Sequence, residues 1–360
     1  MSYHILHLLS HKLRVRLKLD QLHITDLDNG TDKTVPLADV AVIVCAARDT
    51  EFSSSSLRRM AELNVLLMIC NEKFEPCSIT LPYYRPTNTD LLRRQIEWTP
   101  EWKSAMWRQI ITAKVRNQAA NVAHLKRAHT VLSEIANRCE RPSLREAKAD
   151  SPTSNPPVDQ GLVTPSFVKN TSEDGSAATI DKPSLASITA SRRAAFLSDS
   201  PDASESRAAR HYWKHLLPRL SEWQQTDEKH RVPGTREGVN GMLDYGYAIL
   251  RTAVLRSLAA HGFIAAIGIA HTPKAGSFAL ADDVIEPLRP WIDRELRQFL
   301  QGGKRPMTEW MRQAVAVLQL EVPINRNKMR LLNAIDVYVQ SFADAALARA
   351  PFLLKIPMLP

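Results

Sequence analysis

Between Val239 and Leu258 the apolar residues Val239, Met242, Tyr245, Tyr247, Ile249, Leu250, Val254, Leu255 and Leu258 recur mostly at three- and four-residue steps, and no other run constrains the fold as strongly. The spacing predicts one long core helix, closed by Gly262. The next eight residues, FIAAIGIA at 263–270, carry no charge and are expected to be buried, as strand or as helix. They deliver His271 at their end. Beyond the polar turn TPKAGS comes ALADD, where Asp283 reads as the N-cap of a further helix. Pro287 is tolerated in that helix because first-turn amides have no intrahelical partner.

Upstream the period is different. Leu13, Val15, Leu17 and Leu19 alternate with Arg14, Arg16 and Lys18, which predicts a strand with a charged outer face. VPLADVAVIVCAA and LNVLLMIC are runs of buried-strand type, separated by SSSSLRRMAE, a single helix with serine at its cap. Residues 1–85 therefore form a small β-rich domain. From Asp90 the period is helical through Leu125, interrupted at Pro100. Between Leu91 and Thr130 eight Lys or Arg stand against two Glu, which fits a solvated helix face and a phosphate-tracking face equally well. The 64 residues 141–204 hold 7 Pro and 12 Ser, too little apolar surface to offset their ordering entropy, and read as a disordered insertion. After Asp293 the chain is expected to be helical to its end, with PFLLKIPMLP either docked on a core or serving a partner.

The 360 residues, 44% of them apolar, exceed one ordinary domain, so two are expected: an α+β chain with a helical domain following the β-rich one. A formal charge of +9 favours an anionic partner, nucleic acid or an anionic membrane or ribosomal surface. Cys45, Cys70, Cys77 and Cys139 show no CxxC pairing, so neither a zinc site nor a disulfide framework is indicated. Reduced thiols, no signal-peptide order in MSYHILHLLSHKLRVRLK, and no run near the roughly 20 apolar residues of a membrane span predict a cytoplasmic protein.

Three motifs, NGMLDYGYAIL, GIAH and SFALADDVIEP, resemble the CRISPR-associated integrase family, CRISPR-associated protein one, in the branch that accompanies type II systems. AKVRNQ resembles a further short element of the family. The resemblance covers the chain outside 141–204, its N-terminal third mainly in layout, and the long insertion departs from the family's shorter connection. It implies a helical catalytic domain over 205–360, with 86–140 as its first helices, and an N-terminal domain for dimerisation and partner contact. It implies a metal site of Glu205, in ESRAARHYW, His271 and Glu286, with Asp282 or Asp283 as alternatives to Glu286.

The residues also admit blander readings. Glu205 could face solvent, but it shares a helical face with Ala208, Ala209 and Tyr212, and a carboxylate on a close-packing face needs a partner. Asp283 and Glu286 have the spacing of a reciprocal capping box. Two carboxylates and an imidazole without thiolate suit Mg²⁺ or Mn²⁺, and such an ion could activate a DNA 3′-hydroxyl or water against a phosphodiester. The same residue type could instead place His271 at the leaving group. Lys274 and Ser277 could hold phosphate oxygens, and Arg58 and Arg59 DNA backbone further out. The resemblance implies a homodimer that joins the small CRISPR-associated protein two and inserts short DNA fragments into a CRISPR array. A stand-alone metal-dependent nuclease on branched or damaged DNA, and a non-catalytic DNA-binding scaffold, are the alternatives.

Overall fold

A computed structural model describes residues 4–71, 76–80, 88–140, 200–235, 237–271, 278–324 and 327–360. His4–Leu8 (β1) opens a β-rich region, and Lys12–Lys18 (β2) and Gln21–Asp26 (β3) form a hairpin in which Val15 pairs with Ile24 and Leu17 with Leu22. The alternation stops short of Leu19. That residue and Asp20 take the positive φ angles of 51° and 57° that a tight hairpin turn demands, and Leu19 is 89% exposed. With Thr31–Pro36 (β4) and Asp49–Phe52 (β6) the hairpin makes a sheet of order β4-β3-β2-β6.

A second sheet is built from β1, Val40–Cys45 (β5), Leu66–Cys70 (β7) and Pro76–Thr80 (β8), in the order β1-β5-β7-β8, the first three strands parallel. All six residues of β5 are buried, because the strand has no solvent face. Val40, Ile43 and Cys45 pack with the first sheet and with Met60 of Ser54–Glu62 (α1), whereas Val42 and Val44 join the core of the helical body. Ser53 caps α1 by accepting from the amide of Ser56.

The helical body follows. Asn88 caps Thr89–Ile96 (α2), and Thr99 caps Pro100–Asn121 (α3), so Pro100 begins a helix at its first turn instead of breaking one. Next are Lys126–Glu140 (α4) and Pro201–Gln224 (α5), the latter capped by Ser200. Helix α5 thus starts within the span assigned to the insertion, whose residues 141–199 lie outside the described ones. The core helix is Gly238–Ala260 (α6), with Gly262 just beyond it at φ 87°. Ala279–Val284 (α7), Arg289–Leu300 (α8), Met307–Ala316 (α9) and Leu331–Ala348 (α10) complete it. The expected α+β order, β-rich then helical, is the one observed.

Two segments depart from their periodicity. Residues 263–270 are neither strand nor helix but a series of turns, with Phe263, Gly268 and Ile269 buried and Ile264 39% exposed. Side chains rather than a backbone ladder satisfy this segment: Gln95 accepts from the Ile264 amide at 2.9 Å and donates to the carbonyls of Ile264 and Ile267 at 2.8 and 3.1 Å. In the C-terminal region, Glu321–Ile324 (β9) pairs antiparallel with Asn327–Arg330 (β10), interrupting the expected helices with a hairpin. PFLLKIPMLP docks on its own body: Asn117 of α3 accepts from the Leu359 amide at 2.8 Å and donates to the Pro357 carbonyl at 3.1 Å.

Four helices meet at Asp293 of α8. Tyr247 of α6 donates to one carboxylate oxygen at 2.5 Å, Tyr212 of α5 donates to the other at 2.9 Å, and Asn121 of α3 donates to Tyr212 at 2.6 Å. Burial nonetheless pushes the Asp293 carboxyl up to about 6, against both tyrosine bonds. Because the folded value lies above the unfolded one, this group's stabilisation is complete below about pH 4 and is lost as pH rises through about 6. Denaturant unfolding of wild type and Asp293→Asn at pH 4 and pH 7.5 tests this. The wild type is expected to lose about 2–3 kcal/mol relative to the variant over that window.

Candidate active site

Helices α3, α5 and the 3₁₀ turn Glu286–Leu288 bring three charged side chains to one point. The Lys114 ammonium of α3 lies 2.5 Å from Glu205 Oε1 and 2.5 Å from Glu286 Oε2, with 7% of Lys114 and 1% of Glu286 exposed. Placement of Glu205 begins at the start of α5, where Asp202 accepts from the indole Nε1–H of Trp107 in α3 at 2.7 Å. Ala208 and Tyr212, on the same face of α5, are buried. Glu286 is held from its other side by Arg289, whose Nη2 is 3.0 Å from Oε1 and whose guanidinium lies 5.1 Å over the Tyr247 ring.

These charges sustain one another. Burial by itself would push Lys114 down, but Glu286 and Glu205 outweigh it and hold the ammonium above its ordinary range. Burial would likewise push Glu286 up, and Arg289 with Lys114 reverses that. The Glu205 and Glu286 oxygens that meet Lys114 are hard anionic donors brought to one point, a donor set that fits a hard cation. Among the described residues no three His, Cys, Asp or Glu side chains stand close enough to share one ion.

His271 is fixed instead by Asp283. That carboxylate accepts from the amides of Ile269, Ala270 and His271 at 2.5, 3.2 and 3.0 Å, and from His271 Nδ1 at 2.6 Å. Asp283 is therefore not a helix cap. It sits inside α7, fully buried, and Phe278 occupies the cap position without a side-chain bond. Nor do Asp283 and Glu286 form a capping box, since Glu286 turns to Lys114 and Arg289. The Asp283 bond raises His271 above its ordinary range, with burial opposing. As the carboxylate only accepts, Nδ1 carries the proton and Nε2 is left for chemistry. Gly268 permits the arrangement: a Cβ there would lie 2.7 Å from Asp283 Oδ2 and 2.9 Å from the Ala279 Cβ. Trp107 closes the other side, its ring edge-on to the imidazole at 6.0 Å.

Asp282 pairs with Arg251 at 2.5 Å. Arg58 and Arg59 are on α1 in the β-rich region, both bridged to Glu62 and Arg59 also to Asp20 at 3.0 Å. Lys274 and Ser277 fall outside the described residues. Lys114 was not singled out by sequence; it stood inside AKVRNQ as one of eight cations in a helical stretch, and only its burial distinguishes it. Beside the site opens a cavity of about 380 Å³ whose lining includes Lys114, Arg231, Arg251, Arg289, Trp213 and Tyr247. NGMLDYGYAIL shapes its wall: Asn240 and Asp244 both bind Arg231, which stacks 5.5 Å over Tyr247.

Fold and site together define a class: a β-rich module followed by a helical body that buries two carboxylates around one cation, with an oriented histidine nearby. The chain belongs to the CRISPR associated protein Cas1 family, whose model matches residues 6–154 and 178–318. It is 28% identical over 352 residues to a CRISPR-associated endonuclease Cas1 of Neisseria meningitidis, covering 95% of this chain and 92% of the relative. The fold is similar to that of a casposase bound to integration product, with a TM-score of 0.68 at 15% identity over 96% of this chain and 91% of that one. It is also similar to a chain of a Cas6-RT-Cas1–Cas2 complex, with a TM-score of 0.65 at 15% identity over 99% of this chain and 36% of the other.

Asp283→Asn and Gly268→Ala should both release the imidazole. Nuclear magnetic resonance titration is expected to place the His271 pKa lower in each variant than in wild type. Gly268→Ala should in addition lose about 1–3 kcal/mol of stability, because its methyl enters a filled space.

Proposed function

We propose that this protein is a metal-dependent DNA endonuclease and integrase that inserts short DNA fragments into a CRISPR array. The observation that carries the reading is the convergence of Glu205 and Glu286 on a single buried cation, Lys114, in a chain of the Cas1 family. The named relative is an endonuclease and a structural neighbour is a casposase bound to integration product, so cutting and joining are both within reach of such a fold.

Glu205 and Glu286 would hold Mg²⁺ or Mn²⁺. An ion bound there would supply Lewis acidity toward a phosphodiester and its nucleophile. His271 presents Nε2 because Asp283 holds Nδ1, which suits it to complete the ligand set when neutral and to hand a proton to the leaving oxygen when protonated. Arg231, Arg251 and Arg289 along the cavity supply positive charge for a DNA strand end. The presence of Cas2 in the neighbouring complex supports the small CRISPR-associated protein two as partner, and the β-rich module is the surface we assign to that contact and to homodimerisation.

A joining assay tests this, with and without the small partner, using a short duplex with free 3′ ends, a supercoiled repeat-bearing plasmid and Mn²⁺ or Mg²⁺. Wild type should give metal-dependent joined products, and Glu205→Ala, His271→Ala and Glu286→Ala should lose them by about 10³-fold or more while still binding DNA. Cleavage without joining would indicate a stand-alone nuclease. DNA binding with no reaction in any metal would indicate a scaffold.

A further inference from the structure

We propose that Lys114 is a resident counter-ion of the carboxylate pair, holding Glu205 and Glu286 together in the metal-free protein and yielding its position when a divalent ion enters. This rests on the reading of Glu205 and Glu286 as metal ligands. Three observations converge on it. One ammonium touches both carboxylates at 2.5 Å. It does so from a nearly inaccessible position, so it is no mobile surface cation that happens to lie close. Glu286 Oε1 is held separately by Arg289, so the Oε2 that meets Lys114 could pass to another cation without leaving Glu286 unpaired.

The electrostatics give the direction of exchange. Glu205 and Glu286 bring two negative charges, offset by the Lys114 ammonium between them and by Arg289 on the far oxygen of Glu286. A divalent ion at the ammonium's place would attract both carboxylates with twice its charge, but it cannot share the place with Lys114. Lys114 is suited to give way, as a compact charge on a flexible four-carbon stem, and the adjoining cavity that it already lines offers room. Arg289 remains on Glu286 Oε1 throughout, which keeps Glu286 charged during the exchange. The lysine thus acts through the ligands: it pre-assembles two helices and a turn whose carboxylates would otherwise repel, and it sets the metal concentration at which the site fills.

The consequence is opposite to that of an ordinary supporting residue. Removing Lys114 should tighten metal binding while weakening the metal-free fold, because the state with the ammonium in place is not competent to bind the ion. The test is calorimetric titration of Mn²⁺ into full-length protein freed of metal, for wild type, Lys114→Met, Lys114→Gln, Lys114→Arg, Glu205→Ala and Glu286→Ala, with thermal melting of each with and without Mn²⁺. The expected result is that Lys114→Met and Lys114→Gln bind Mn²⁺ at least about tenfold more tightly than wild type. Both should melt lower than wild type without metal and gain more from Mn²⁺. Lys114→Arg, which keeps the charge, should bind no more tightly than wild type, and both Glu variants should lose binding. If both neutral variants fail to fold without metal, refolding in saturating Mn²⁺ is the readout, and failure to recover overturns the proposal. Wild-type binding lost in the Glu variants but not tightened by neutralising Lys114 overturns the counter-ion role and leaves the ligand pair standing. No Mn²⁺ binding by any of the proteins overturns the ligand pair and the counter-ion with it.

Discussion

Glu286 is a charged carboxylate with almost no access to water, and the helical body is arranged to keep it so. An uncompensated charge in such a place would cost several kcal/mol. Compensation here arrives from opposite sides: Lys114 from the middle of α3 and Arg289 from the first turn of α8, with Tyr247 of α6 beneath the Arg289 guanidinium. Glu205 of α5 shares Lys114 from a less buried position. The elements that pack the core are therefore the ones that fix the ions. Any shift of α3 relative to the turn at Glu286 would expose an unpaired charge to the interior, so packing and charge placement enforce each other.

Asp283 does a comparable service for the backbone. The chain from Phe263 to His271 runs close to the site without a helix or a ladder, and buried amides outside regular structure need acceptors. One carboxylate accepts from three successive amides and then from the His271 ring, so the bonds that order the segment also aim the imidazole. The uncharged composition of FIAAIGIA serves close approach more than burial, since Gly268 leaves room for that carboxylate.

The basic surplus of the chain divides by location. Among the eight cations between Leu91 and Thr130, Arg108 and Lys114 are buried and Arg116 is bridged to Glu140, so a run that reads as a solvated or phosphate-tracking face is in part internal wiring. Arg231, Arg251 and Arg289, which line the cavity beside the carboxylates, are scattered over some sixty residues of sequence and form no charge run at all. Charge density along a sequence and charge density at a site are different quantities, because a helix presents only every third or fourth residue to a given neighbour.

What the sequence determined by itself is what local repetition and short motifs can encode. The period-two run of β2, the helical spacing of α6, the serine cap of α1 and the order of β-rich before helical all follow from near neighbours. So do Glu205, His271 and Glu286 as candidates, through motifs read against a family. Only the tertiary structure decided which carboxylate does what. Asp282, Asp283 and Glu286 lie within five residues of one another, yet one pairs with Arg251, one orders the His271 segment and one meets Lys114. Lys114 is the clearest case. Its partners lie 91 and 172 positions away in the chain, and a contact of that range leaves no trace in local periodicity, because it exists only once the helices have packed.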